Sequence, residues 1–165
     1  MRRRDWLALI GGSTTVALTG CSSSLDQNCT TPQLRNELQY DQRTPTAIFA
    51  DSTSGIRLIT SSNEIGQFDS DSLGNDIERW VQETAFENNS VVGFQVGSAR
   101  ESSPIEILGV ERDGTTVTVH SCIENQGSDD VWVPYAKVLR IPFGDREPES
   151  ARLSHREGGE TQVFE

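Results

Sequence analysis

From Val91 to Ile141 the chain adopts a two-residue period, and this alternation confines it more than any other feature to a sheet-built fold. Val92, Phe94 and Val96 alternate with Gly93 and Gln95, which places three apolar side chains on one face of a strand. Ile105 to Val110 is a second run, and Arg112-Asp113-Gly114-Thr115 supplies an Asp-Gly turn into a third. In that third strand Val117, Val119 and Ile123 point one way, while Thr116, Thr118, His120 and Cys122 point the other. Gly127-Ser128-Asp129-Asp130 makes the next turn, and Val131 to Ile141 is a long fourth strand. Pro134 has no N–H to donate, so it calls for a bulge or an edge position there. Ala151-Arg152-Leu153-Ser154 reads as a last short strand before a polar, frayed end.

The preceding segment is mixed. Thr31-Pro32 opens a short helical pattern, with Leu34 and Leu38 on one face. Ala47 to Ala50 and Ile56 to Thr60 are apolar runs on either side of the turn-rich Asp51-Ser52-Thr53-Ser54-Gly55, the pattern of a hairpin. Ser61-Ser62-Asn63-Glu64 has capping-box spacing and predicts one or two helical turns. Asp69 to Gly74 reads as an acidic loop. Helix returns from about Asp76, with Ile77, Trp80 and Val81 at i, i+3 and i+4 and Trp80 as a core anchor. The expected fold is therefore α+β: one or two short helices, then a mainly antiparallel sheet or small sandwich.

The first 21 residues have the parts of an export signal: Arg2-Arg3-Arg4, a short apolar run from Trp6 to Leu18, and small residues before Cys21. Arg3-Arg4 followed by Asp5-Trp6-Leu7 resembles a twin-arginine signal, and Leu18-Thr19-Gly20-Cys21 resembles the lipobox of bacterial and archaeal lipoproteins. The run is too short and polar for a spanning helix, which needs about 20 apolar residues. The likeness implies cleavage before Cys21 and a diacylglyceryl group on its sulfur, two chains that make a stable anchor. It also implies residence on the extracellular face of the cell membrane. The expected division is a signal over 1–20, a lipidated tether over 21–30, one domain over 31–158 and a polar tail over 159–165. Asn28 and Asn88 open N-x-S/T sequons and are the glycosylation candidates.

Charge narrows the partners. The chain carries −11, and without the net +2 of Arg2, Arg3, Arg4 and Asp5 the remainder carries −13. Lys137 is its only lysine. Acidity with almost no lysine resembles haloarchaeal proteins. In multimolar salt the screening length falls to roughly 3 Å or less and the self-repulsion fades. A body this acidic has no basic stripe for phosphates, so nucleic acid is not an expected partner. The expected contacts are a membrane through the lipid on Cys21 and another surface protein.

The order of helices, strands, Asp-Gly hairpin and Pro-containing strand resembles the C-terminal domain of the protease complex subunit PrcB. The likeness rests on Ile59 to Glu64, Phe86 to Val96, Ile105 to Glu111 and Tyr135 to Pro142. It implies a non-catalytic accessory domain at the cell surface. Gly97 to Pro104 lacks the later glycines and the Tyr of that family's Gly-rich hairpin.

Catalytic motifs do not stand out. The two histidines are His120, in a strand, and His155, near the polar end. His120 and Cys122 share a strand face but lack the second pair that zinc normally takes. Asp69-Ser70-Asp71 lacks the Gly and Glu of a calcium loop. No catalytic residue, metal or cofactor is assigned. Two readings stay open: a lipid-anchored binding or accessory module without catalysis, and a lipoprotein hydrolase with a non-contiguous site around His120 and Ser121. With Cys21 taken by lipid, Cys29 and Cys122 remain, and an oxidising compartment favours a disulfide between them.

Overall fold

The computed structural model describes residues 29–51 and 53–165. Arg3, Arg4, Cys21, Asn28 and the expected signal segment lie outside the described residues. In chain order the elements are β1 (Asp41–Arg43), β2 (Gly55–Ile59), a 3₁₀ helix (Ser62–Gln67), α1 (Ser70–Leu73) and α2 (Asn75–Gln82). Then come β3 (Asn89–Ala99), β4 (Glu106–Asp113), β5 (Thr116–Ile123), β6 (Trp132–Pro142), β7 (Ser150–Glu157) and β8 (Glu160–Phe164).

The strands form two four-stranded sheets, ordered β1-β6-β3-β2 and β4-β5-β7-β8. Every named pairing is antiparallel except β5 with β7. That exception follows from the path: the chain leaves β5, crosses into the other sheet as β6, and returns as β7 in the direction of β5. The protein is thus an α+β domain of short helices and two mainly antiparallel sheets. Val92, Phe94, Val96, Leu139 and Ile141 of one sheet meet Val110, Val117, Val119, Ile123 and Leu153 of the other in one apolar cluster. Each such side chain contributes about 1.5–3 kcal/mol by leaving water.

The first sheet is buried on its other face as well. Val91, Ala136 and Val138 pack there with Ile48, Ile59, Phe68, Leu73 and Val81 of the preceding segments. β3 is therefore covered on both sides, and Gly93 is the position where this becomes crowded. A Cβ there would lie 2.6 Å from the Phe68 ring and 3.1 Å from Ile48 Cδ1. Trp80 is half-buried at the edge of this layer, with the Arg140 guanidinium 4.2 Å and that of Arg43 4.8 Å from its ring.

Several local expectations change. Residues 31–38 form no helix; they run as an arm along β4. There Leu38 N–H donates to Val110 O at 2.8 Å, Arg112 N–H donates to Asn36 O at 3.1 Å, and Glu37 bridges to Glu111. The i, i+4 spacing of Leu34 and Leu38 reflects docking instead: a Cβ on Gly109 would lie 2.3 Å from Leu34 Cδ1, so the glycine makes room for that side chain. The next residues form β1 on the edge of β6, so this segment ties the two sheets together.

The expected strand over Ala47 to Ala50 is absent, because a side chain takes the partner's place. Gln95 Oε1 accepts from Ile48 N–H at 2.9 Å and Phe49 N–H at 3.3 Å, while its Nε2 donates to Asp51 O and Thr53 O. The capping-box segment is a 3₁₀ helix, in which Glu64 accepts from Thr60 N–H at 2.7 Å and Ser61 makes no side-chain cap. Within the expected loop over Asp69 to Gly74 lies the single turn α1, where Ser72 Oγ donates to the Asp69 carboxylate.

Pro134 pairs with Gly97 of β3, and β1 covers only Val138 to Arg140 of β6, so the proline occupies a locally free edge. Gly114, at φ 60°, makes the Asp-Gly turn. The expected polar tail over 159–165 is instead mostly β8, joined to β7 through Gly158 and Gly159 at φ 57° and 83°. Ordered structure therefore runs past 158.

Candidate functional site

His120 and Ser121 are adjacent on β5, and strand alternation sends them to opposite faces. His120 lies on the outer face under the arm, where its Nε2–H donates to Glu111 Oε1 at 3.0 Å. Arg35 N–H donates to the other oxygen of that carboxylate at 3.0 Å. The Arg35 amide first, and His120 second, hold Glu111 below the usual carboxylate range. This pairing secures the arm, and it separates His120 from the Ser121 hydroxyl.

Ser121 points between the sheets and finds the other histidine. Its Oγ is hydrogen-bonded to His155 Nδ1 at 2.9 Å, and both residues are 1% exposed. His155 is thus a buried residue of β7 and not part of a mobile end. Its Nε2 has no hydrogen-bond partner and lies 3.8 Å from Glu157 Oε2. Burial pushes His155 down to about 4, so the ring is neutral at pH 7. Glu157 Oε1 accepts from Ser98 Oγ, Ser98 Oγ shares a hydrogen bond with Ser102 Oγ at 2.7 Å, and Ser102 Oγ accepts from Gly127 N–H at 2.9 Å. The chain of contacts crosses from β3 to β7 and joins two sheets and two loops.

A hydroxyl, an imidazole and a carboxylate in a row have the composition of a nucleophilic relay. Here the hydroxyl is sealed between the sheets and the imidazole meets it through Nδ1, so the row pairs the Ser121 hydroxyl and one ring nitrogen in an apolar interior and leaves Nε2 without a partner. The His120–Cys122 pair does not form a ligand set either. Cys122 is bonded to Cys29 with their Cα atoms 5.6 Å apart, so its sulfur is not a free thiolate. Next to this bridge Arg156 Nη1 donates to Thr30 Oγ1 at 3.1 Å. Asn88 stands exposed in the turn before β3.

Among the described residues the most exposed aromatic side chain is one with no signature motif around it in the sequence. Trp132, at the start of β6, is 56% exposed. It lines an open groove of about 650 Å³ at the end of the sandwich, with Ser54, Gln126, Glu157, Glu160 and Gln162. Among the described residues no lysine or arginine lines this groove. The available signal was positional: Trp132 comes two residues after the polar turn Gly127 to Asp130, ahead of the part of the strand that fills the core.

The fold is a small two-sheet domain, and the groove at Trp132 is one of several open polar clefts among the described residues. Compared with known proteins, the chain matches no protein-family model, no curated protein and no solved structure.

Proposed function

We propose that this protein is a non-catalytic binding or accessory module, held on the extracellular face of a cell membrane by lipid on Cys21. The observation that carries the reading is a contrast in exposure. The side chains with reactive chemistry, Ser121 and His155, are closed inside the body at 1% exposure, while Trp132 is left open in a polar groove. A module needs an accessible recognition surface more than an activated nucleophile. The lipobox-like Leu18-Thr19-Gly20-Cys21 and the twin-arginine pair Arg3-Arg4 support the address. The remaining charge of −13 favours protein or neutral partners over nucleic acid.

Cell fractionation tests the address. The wild-type chain is expected in the membrane fraction, with lipid mass on the peptide that begins at Cys21. Cys21→Ser is expected in the medium or as uncleaved precursor, and Arg3→Lys with Arg4→Lys is expected to leave precursor inside the cell. Unchanged membrane retention of Cys21→Ser would overturn the anchor.

A further inference from the structure

We infer that the groove beside Trp132 is a binding site for a neutral carbohydrate chain, an inference that rests on the reading of the protein as a binding module. An indole gains more than most side chains from burial, yet Trp132 is 56% exposed and the adjoining Val131 is 44% exposed. A pyranose ring offers what this surface lacks. It has an apolar face of C–H bonds that packs flat on an indole, and a rim of hydroxyls that each donate and accept.

The rest of the lining suits that rim. Gln126 and Gln162 carry carboxamides, each with donors and an acceptor, and the exposed Glu160 adds acceptors, while the nearly buried Glu157 forms the floor. Ser54 Oγ accepts from Gly97 N–H at 3.0 Å, which leaves its own hydrogen to donate outward. Parts of the lining are fixed beforehand. Trp132 is in a strand, Ser98 holds the Glu157 carboxylate from behind, and the Gln126 amide lies over Gly158, where a Cβ would come within 2.9 Å of its Oε1. Groups held on strands and by a second layer of hydrogen bonds lose little freedom on binding.

The lining also selects among ligands. Two carboxylates without a lysine or arginine beside them disfavour an acidic glycan. A cationic ligand would gain from the indole face and the carboxylates. But one aromatic ring does not enclose an ammonium, Glu157 is already bonded to Ser98, and Ser54, Gln126 and Gln162 are uncharged hydrogen-bonding groups.

The test is calorimetric titration of the full chain in mild detergent. The probes are neutral hexasaccharides of glucose, mannose, galactose and N-acetylglucosamine in α and β linkage, with hexa-arginine as the cationic comparison. At least one neutral hexasaccharide is expected to bind. Trp132→Ala is expected to weaken it about tenfold or more, and Glu160→Gln to change it by less than about threefold, since an amide still bonds hydroxyls. Trp132→Leu, which keeps apolar bulk but no flat stacking face, is expected to weaken binding similarly and serves if the alanine variant folds poorly. The inference is overturned if no saccharide in the panel binds at millimolar concentration, or if binding is indifferent to both Trp132 variants. It is equally overturned if hexa-arginine is the ligand and Glu160→Gln abolishes its binding. Fractionation of Cys21→Ser reads the anchor independently of the groove, so a failed titration leaves the address standing and a failed anchor leaves the titration intact.

Discussion

Ser121 Oγ and His155 Nδ1 meet at 2.9 Å across the parallel strands β5 and β7, partners in register though 34 residues apart. The bond leaves the other ring nitrogen buried and unpartnered beside Glu157. A neutral imidazole tolerates that position and a charged one does not, which is why burial depresses its protonation.

A pH dependence follows from this. In the unfolded chain the His155 ring protonates near its ordinary value of 6.5, whereas in the folded protein it resists until about 4. Between those values the unfolded state binds more protons, so stability falls as pH drops through the window and is flat above it. The loss is at most roughly 3–4 kcal/mol, at about 1.4 kcal/mol per pH unit. Urea denaturation of wild type and His155→Gln from pH 7 to pH 4 checks it. The wild-type curve should lose stability more steeply, and parallel curves would refute the assignment.

Gly93→Ala should destabilise by about 1–3 kcal/mol through overpacking against Phe68 and Ile48. Thermal melting measures the loss. A second change, Phe68→Leu, should recover part of it, and a neutral Gly93→Ala would mean that this layer is looser than the contacts indicate.

Gln95→Leu should leave the amides of Ile48 and Phe49 without their acceptor, at a cost of about 1–3 kcal/mol for a buried donor. Amide hydrogen exchange is the sharper readout. Ile48 and Phe49 should lose protection while the β3–β6 ladder keeps it, and unchanged protection at Ile48 would contradict the role given to Gln95.

Cys29→Ser or Cys122→Ser opens a loop of 93 residues, for which chain-entropy arguments give a loss of about 4–5 kcal/mol as an upper value. Proteolysis should then cut first within residues 30–38. A variant that melts with wild type and resists cleavage there would argue that the arm stands without its bridge.

The strands with regular apolar alternation, β3 to β6, were legible in the sequence because each carries its own periodic signal and a local turn. The parts that were not legible depend on distant partners. β1 is Asp-Gln-Arg, a polar edge strand recognisable only through its pairing with β6. Of β7 only Ala151 to Ser154 was legible, because its later inward positions are His155 and Glu157, whose burial is made tolerable by Ser121 and Ser98 from elsewhere in the chain. Leu34 and Leu38 fit a helical period by coincidence, since one fills the space over Gly109 and the other joins the edge of the inter-sheet core. The same strand logic that predicted β5 also implied that His120 and Ser121 face apart. What it did not supply was the identity of the imidazole on the far side. Trp132 was visible as a residue, but its exposure depends on how β6 begins at the open end of the sandwich.

The bridge between Cys29 and Cys122 also decides how the molecule answers to force. A pull on the chain ahead of Cys29 passes through the sulfur atoms into β5, which is flanked by β4 and β7. To yield, that strand must break with both neighbours over much of its length. Without the bridge, the same pull would reach the arm first and open its hydrogen bonds to β4 one after another, as in unzipping. One covalent link thus lets the outermost segment of the fold resist tearing as an interior strand does.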